Sequence, residues 1–381
     1  MKILFLCEGD AETPRAFSGA ARSVVQHLRA AGDDVVCGDC DVKGLARYAA
    51  ALPMFSPNKR RWVSRYHTGG WPFVLRTRRA REVFDELGRG ADVILQIGAT
   101  FQTPGPERIP RFMYCDSNIR AAERGRATGY SWASPLSSKE IDAIAAREEK
   151  VYRSINTIFT ISEYLRQVFI TDFAQSPDKV VAAGGGANLD VGRIAARKAV
   201  PPDPPTILFV GVDFQRKGGE LLLRSFERVR ERIPSARLII VGPRDVQISQ
   251  DGVENLGFLN KDVPADLERL ERAYASSHVF CLPTRFEPFG IAYIEAMLYG
   301  LPCVGPRAWA IPEMIFDGET GHTVQPENAE EMTNRLLQLL ENPAQAFQMG
   351  QAGRRRAEAT FRWESVVARM RTVMQRTLGS G

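Results

Sequence analysis

The chain is expected to fold as an α/β protein with two Rossmann-like parallel-sheet domains. Two observations carry that expectation. Short apolar runs alternate with amphipathic helical stretches from Ile3 onward, and the same alternation starts afresh at Thr206. Between the two series lies Pro201-Pro202-Asp203-Pro204-Pro205, a stiff, donor-poor stretch that continues neither helix nor sheet. A chain of 381 residues with 44% apolar content has material for two cores of ordinary size. The sequence therefore divides into a first domain at 1–190, a linker at 191–205, a second domain at 206–360 and a C-terminal helix at 361–381.

Composition narrows the setting. Charged residues make up 25% of the chain, as in ordinary globular proteins, and a net charge of +5 is too small to argue for nucleic acid. The apolar run at 3–7 is too short for a signal peptide, and Glu8 and Asp10 stand where a cleavage region would lie, so it is expected to be a buried first strand. No apolar run approaches the roughly 20 residues that span a bilayer. Six scattered cysteines suit reduced thiols in a cytoplasmic protein. Cys37-Gly38-Asp39-Cys40 has neither a second pair nor a nearby His, so buried thiols are favoured over a zinc or redox site.

In the first series, strands at 3–7 and 34–37 flank a helix at 19–31, a β-α-β opening. Ligands of such sheets gather beyond the carboxyl ends of the strands, which singles out the loop ending at Gly19. Strands at 91–98 and 111–116 follow, placing Asp116 at a strand's C-terminal end. There a carboxylate either accepts hydrogen bonds from a ligand or caps a helix. A helix at 138–153, a strand at 157–160, a helix opened by Ser162-Glu163 and a strand at 179–181 complete the series.

Residues 59–81 carry Lys59, Arg60, Arg61, Arg65, Arg76, Arg78, Arg79 and Arg81 without one acid, interleaved with Trp62, Tyr66, Trp71 and Phe73. One reading is a solvated helix face with core aromatics. The other is peripheral contact with an anionic membrane, or docking of a phosphate-bearing acceptor. No nucleic-acid module surrounds the patch.

In the second series a strand at 206–211 ends on Gly211, and Arg216-Lys217-Gly218-Gly219 leads into an apolar helix. Adjacent cations beside a helix start suit a diphosphate, Lys as point charge and Arg as forked donor. The spacing is not that of a Walker loop. Strands at 237–242 and 253–259 follow, with Phe258 and Leu259 either core or ligand-facing, then a helix at 329–340 and a last amphipathic helix from 361.

The most informative stretch is 284–304. After an apolar run, a polar loop carries Glu287; Phe289-Gly290-Ile291 open a helix bearing Glu295, which stops at Gly300 with Pro302 beyond. Amides at that helix start make an anion site between two acids. Glu287 and Glu295, within E-P-F-G-I-x-x-x-E-A-M-x-x-G-x-P, resemble the E-x7-E signature of retaining GT-B glycosyltransferases of family 4.

The resemblance implies two Rossmann-like domains facing across a cleft, with the last helix crossing back to the first domain. It implies that Arg216 and Lys217 hold the donor diphosphate, Glu287 the sugar hydroxyls and Glu295 the ribose, and that the backbone near Phe258 and Leu259 seats the base. The cosubstrate would be a UDP- or GDP-sugar, with no metal or other cofactor. The acceptor would be a carbohydrate, glycolipid or small molecule, and the setting the cytoplasm or the inner membrane face.

The chain departs from the pattern at three places. Gly19 stands alone where a Gly-Gly pair is usual, Asp116 lies where many relatives have a histidine, and Trp309-Ala310-Ile311-Pro312-Glu313 lacks the glycines of Gly-Gly-x-x-Glu. Gly186-Ala187-Asn188-Leu189-Asp190 stands for the usual N-G-V-D. A glycoside hydrolase using the two acids leaves the cation pair unexplained. A GT-B epimerase or phosphorylase also fits the expected architecture, as does a nucleotide-sugar-binding protein without catalytic activity.

Overall fold

The structure, a computed structural model, describes residues 1–13, 16–189, 191–194, 203–244 and 246–379. Asp190 and the middle of the stretch read as linker, 195–202, lie outside the described residues. The chain divides into two compact units. One comprises Met1–Gly186 and the helix Trp363–Gly379; the other is Ala187–Arg362. The break falls at Gly186, so residues 191–194 and 203–205 go with the second unit.

The first unit is built on a six-stranded parallel sheet: β1 Lys2–Cys7, β2 Asp34–Asp39, β3 Val93–Ile97, β4 Arg111–Cys115, β5 Thr157–Thr160 and β6 Val180–Ala182. Their spatial order is 2-1-3-4-5-6. Leu4 of β1 pairs with Val36 on one side and Ile94 on the other. The chain thus reverses its winding between β1 and β3, where an open sheet leaves a crevice at its carboxyl edge. Ile3 to Cys7 are buried, and the helix Ala20–Ala30, which packs beside β2, buries Val24, Val25 and Leu28, the spacing of one helix face.

The helix Trp363–Gly379 packs into the same unit through Val366, Val367, Met370 and Met374. A Cβ on Gly186 would lie 2.7 Å from the Trp363 ring, so only glycine admits the indole there. Arg369 donates to the Ala183 carbonyl at 2.6 and 2.9 Å, and Arg371 reaches Asp33 at 2.7 and 3.2 Å.

The stretch at 59–81 forms parts of two helices, Lys59–Thr68 and Gly70–Leu87, rather than one helix face and a loop. Its cations are not one solvated face. Arg76 is fully buried, its guanidinium 2.8 Å from Glu8 and 3.5 Å from Asp41 and stacked over the Tyr66 ring. Arg61 and Arg65 pair with Glu140. The helices Gly44–Ala51, Pro264–Ser276 and Pro343–Thr360 and the strand at 321–324 add elements that apolar periodicity did not reveal.

The second unit carries β7 Thr206–Val210, β8 Arg237–Val241, β9 Val253–Gly257, β10 Val279–Cys281, β11 Cys303–Pro306 and β12 Gly321–Val324. All are parallel, in the order 12-11-10-7-8-9. Read from β9 this is the doubly wound 3-2-1-4-5-6 arrangement, with its switch point between β7 and β10. At the carboxyl edge the backbones of β7 and β8 close together. Gly242 has φ +123°, and a Cβ there would lie 2.5 Å from the Gly211 backbone.

Two outcomes follow. Gly242→Ala forces both a strained φ and a backbone overlap and is expected to cost about 2–4 kcal/mol, read as a lower urea midpoint. Glu148, on the helix Ser138–Arg153, is 9% exposed and accepts the Ile119 amide at 3.1 Å. Burial raises its carboxyl to about 7. A raised folded-state pKa means the native state binds the extra proton, so stability declines as pH rises from the ordinary carboxylate range to about 7. Glu148→Gln keeps an acceptor for Ile119 and is expected to flatten that decline in urea titrations at several pH values.

Candidate functional site

The switch point of the second unit is where Arg216, Lys217, Glu287 and the helix start at Gly290 meet. Beyond β7, Gly211 gives way to a tight turn in which the Lys217 amide donates to the Asp213 carbonyl at 2.9 Å. Gly218 ends that turn at φ +75° and starts the helix Gly219–Arg232. Its missing side chain matters, since a Cβ there would overlap the Pro283 carbonyl oxygen at 1.9 Å. The loop after β7 thus lies flat against the loop after β10. The Arg285 amide donates to the Arg216 carbonyl at 2.8 Å, and Arg216 Nη1 donates to the Phe286 carbonyl at 2.9 Å.

This arrangement brings Lys217 onto Glu287 as a close ion pair, both side chains mostly buried. Burial lowers the Lys217 pKa and the adjacent Arg216 adds to that, while Glu287 works in the opposite direction. Phe289, Gly290 and Ile291 follow directly. Gly290, at φ +113°, starts the helix Ile291–Leu298. Ile291 and Ala292 lie in its first turn, with amides directed back toward the loop carrying Glu287.

Glu295, on that helix, is 2% exposed and is held by two groups that local spacing did not reveal. Lys261 forms a close ion pair with one oxygen, and Tyr274 donates its hydroxyl to the other at 3.2 Å. Each acid of the E-x7-E pair therefore carries a lysine. Tyr274 is anchored by stacking on Tyr299 with ring centroids 4.8 Å apart.

Beyond β9, Leu259 is buried and Phe258 is 36% exposed. The Arg244 guanidinium lies 3.6 Å over the Phe258 ring, making a flat cationic platform at the carboxyl ends of β8 and β9. Trp309 occupies the position of a missing glycine, and its backbone still takes the left-handed conformation, φ 59°. Its ring packs edge-on against Phe286 at 5.3 Å, backing the Glu287 loop.

In the first unit, Gly19 has φ +86° and starts the helix Ala20–Ala30. Asp116 follows β4; enclosure by protein raises its carboxyl to about 6, with the amides of Asp116 and Ser117 opposing the rise. The N-cap of the next helix is Asn118, which accepts the Ala121 amide at 2.8 Å, so Asp116 is not that cap. At the β1/β3 switch point lies a cluster the sequence did not announce. His67 Nδ1 is 2.8 Å from Glu8, whose other partner is the buried Arg76. Burial would raise the Glu8 carboxyl, but His67 and Arg76 outweigh it and hold it low.

The six cysteines are free thiols. Burial pushes Cys37 up to about 11 and Cys40 up to about 12, so neither is a ready thiolate. Among the described residues no group of three His, Cys, Asp or Glu side chains is placed to hold a metal ion.

Comparison with known proteins finds similarity in sequence and in fold. Residues 190–356 match the family model of glycosyl transferases group 1. Over 258 residues the chain is 30% identical to an MMP alpha-(1->4)-mannosyltransferase of Mycolicibacterium hassiacum, a match covering 65% of this chain and 60% of that one. Over 181 residues it is 32% identical to a GDP-mannose-dependent alpha-(1-6)-phosphatidylinositol monomannoside mannosyltransferase of Mycolicibacterium smegmatis, covering 44% and 47% of the two chains. The chain thus spans about half to three fifths of the length of these curated relatives. Among solved structures, sucrose-phosphate synthase from Thermosynechococcus elongatus aligns over 100% of both chains with a TM-score of 0.70 at 18% identity. Anabaena HepE in complex with UDP aligns over 99% of this chain and 100% of its own, with a TM-score of 0.68 at 15% identity. The architecture is the GT-B fold, and residues 190–356 within it match the group 1 glycosyl transferase model.

Proposed function

We propose that the protein is a retaining glycosyltransferase of family 4 type. It moves a sugar from a UDP- or GDP-sugar to a hydroxyl of a carbohydrate, glycolipid or small-molecule acceptor. The observation that carries the reading is the convergence of Arg216, Lys217 and Glu287 at the β7/β10 switch point, beside the helix start at Gly290. The match of residues 190–356 and the transferase names of the relatives support it.

In this reading the bond between the anomeric carbon and the diphosphate oxygen breaks. The acceptor oxygen joins that carbon on the same face, and its proton passes to the departing phosphate oxygen. Arg216, Lys217 and the amides at Phe289, Gly290 and Ile291 take up the developing negative charge, a role for fixed donors in a partly dry site. Lys217 is well suited because its charge is held where water is scarce, so an incoming diphosphate can compete with Glu287 for it. Glu287 then accepts hydrogen bonds from donor sugar hydroxyls. Glu295, braced by Lys261 and Tyr274, accepts those of the ribose, and Gly211, Phe258 and Leu259 line the seat of the nucleoside. Asp116 accepts from a sugar hydroxyl and Gly19 offers backbone to a phosphate or acceptor. No metal enters this reading, because the protein's own cations stand where one would serve.

Three measurements test it. One of UDP, GDP and ADP at about 100 times its Kd is expected to raise Tm by about 2–4 °C, the effect of roughly 2.7 kcal/mol of linkage; no shift with any of them overturns the donor-site assignment. Arg216→Ala is expected to remove most of the shift, whereas Glu287→Gln keeps it and loses transfer by about a hundredfold or more. Transfer assayed with and without a chelator is expected to proceed at equal rates, and a chelator-sensitive rate restored by a divalent cation would reject the metal-free reading.

A further inference from the structure

We infer that the segment from Lys43 to Arg61 docks the protein onto an anionic lipid bilayer. This goes beyond the transfer reaction and does not depend on it. The helix Gly44–Ala51 and the 3-10 turn Leu52–Met54 form one continuous helical run, since Leu52 keeps helical dihedrals, φ −59° and ψ −47°. Leu45, Tyr48 and Leu52 recur at steps of 3 and 4, which places them on one side of that run, and Phe55 follows directly after its end. That side faces solvent: the four are 87%, 68%, 69% and 59% exposed. With Val63, Trp71 and Val74 they make seven of the twelve large apolar side chains left exposed among the described residues.

The run is held firmly in spite of its exposure. Trp62 Nε1 donates to the Ala51 carbonyl at 3.0 Å, and Trp71 Nε1 donates to the Ala49 carbonyl at 3.1 Å. Two indoles from the following helices thus satisfy carbonyls at its C-terminal end and fix its outward apolar stripe. Phe55 is braced edge-on against Trp62 at 5.5 Å. Beside the run opens a pocket of about 340 Å³ lined by Pro53, Met54, Leu136 and Ile144, with Arg147 and the Arg65–Glu140 ion pair at its walls.

Charge decides the occupant. From Val42 to Arg81 there is no Asp or Glu. Lys43 is paired with Asp39 at 2.7 Å, but Arg47 and Lys59 flank the stripe without an acid partner among the described residues, and Arg60 gives one donor to the Gly129 carbonyl. An apolar ridge set among cations fits the boundary of a bilayer with anionic headgroups. Two copies meeting through this ridge would bring the same cations face to face, which disfavours self-association. The basic stretch at 59–81 is therefore only one flank of the surface, since Arg61, Arg65, Arg76, Arg78 and Arg79 already pair with acids of the protein itself.

The test is flotation of the full chain with phosphatidylcholine vesicles, with and without about one third phosphatidylglycerol. Binding is expected only with the anionic lipid and is expected to fall when salt rises from about 0.1 M to 1 M. Leu45→Glu/Leu52→Glu is expected to weaken vesicle binding at least roughly tenfold while leaving Tm and the nucleotide-induced shift intact. Arg224→Glu/Arg228→Glu, in the second unit, is expected to leave vesicle binding unchanged. Equal flotation of wild type and the Leu45/Leu52 variant overturns the proposal. So does a solution dimer that the same variant dissociates, which would make the ridge a self-interface. A missing nucleotide shift with intact vesicle binding would fault the donor site and not this surface.

Discussion

The ion pair between Lys217 and Glu287 is the constraint around which the second unit is arranged. Its members lie 70 positions apart in sequence, on loops leaving two adjacent central strands. A lysine and a carboxylate removed from water need one another, because either alone would carry the full desolvation penalty. The strand order 3-2-1-4-5-6 places those loops side by side, and Gly218, packed on the Pro283 carbonyl, lets them touch. Backbone hydrogen bonds from Arg285 to Arg216 and from Arg216 to Phe286 then hold the pair in register. Charge of this kind is positioned by folding itself, so the proposed transfer would leave little reorganisation for the moment of reaction.

The second acid repeats the solution with different parts. Glu295 sits on a helix rather than a loop, and its lysine arrives from the turn after β9. Tyr274 adds a neutral donor, so the carboxylate stays oriented even when the lysine is drawn elsewhere. Against these satisfied polar groups the apolar ridge at 45–55 presents the opposite imbalance. Its backbone is well bonded while its large side chains remain in water.

Most of the scaffold was legible in the sequence because parallel strands buried on both faces write continuous apolar runs. The strands at 157–160 and 206–210 and the helix at 138–153 stand where periodicity puts them. The helix Gly44–Ala51 was not legible, because its apolar side faces outward and alanines fill the rest. The strand Gly321–Val324 is four residues long and carries His322 and Thr323, too short and too polar to signal itself. Of the site, the acids, the cation pair and the glycines are local motifs and could be read directly. Lys261, Tyr274 and Arg244 could not, since only the tertiary fold brings them to Glu295 and Phe258. Arg76 misled for the same reason: among its basic neighbours it looks solvated, yet Glu8 from the loop after the first strand draws it into the interior.

The helix Trp363–Gly379 belongs to a body whose other elements are all specified before Gly186. During synthesis, the first unit must therefore wait for 176 intervening residues, Ala187 to Arg362, before Trp363 can fill the space that Gly186 leaves for it. The second unit is contiguous and has no such delay. On the ribosome the order of completion is thus the reverse of the order of translation, and the nascent first unit passes that interval with the surface meant for Val366, Met370 and Met374 uncovered.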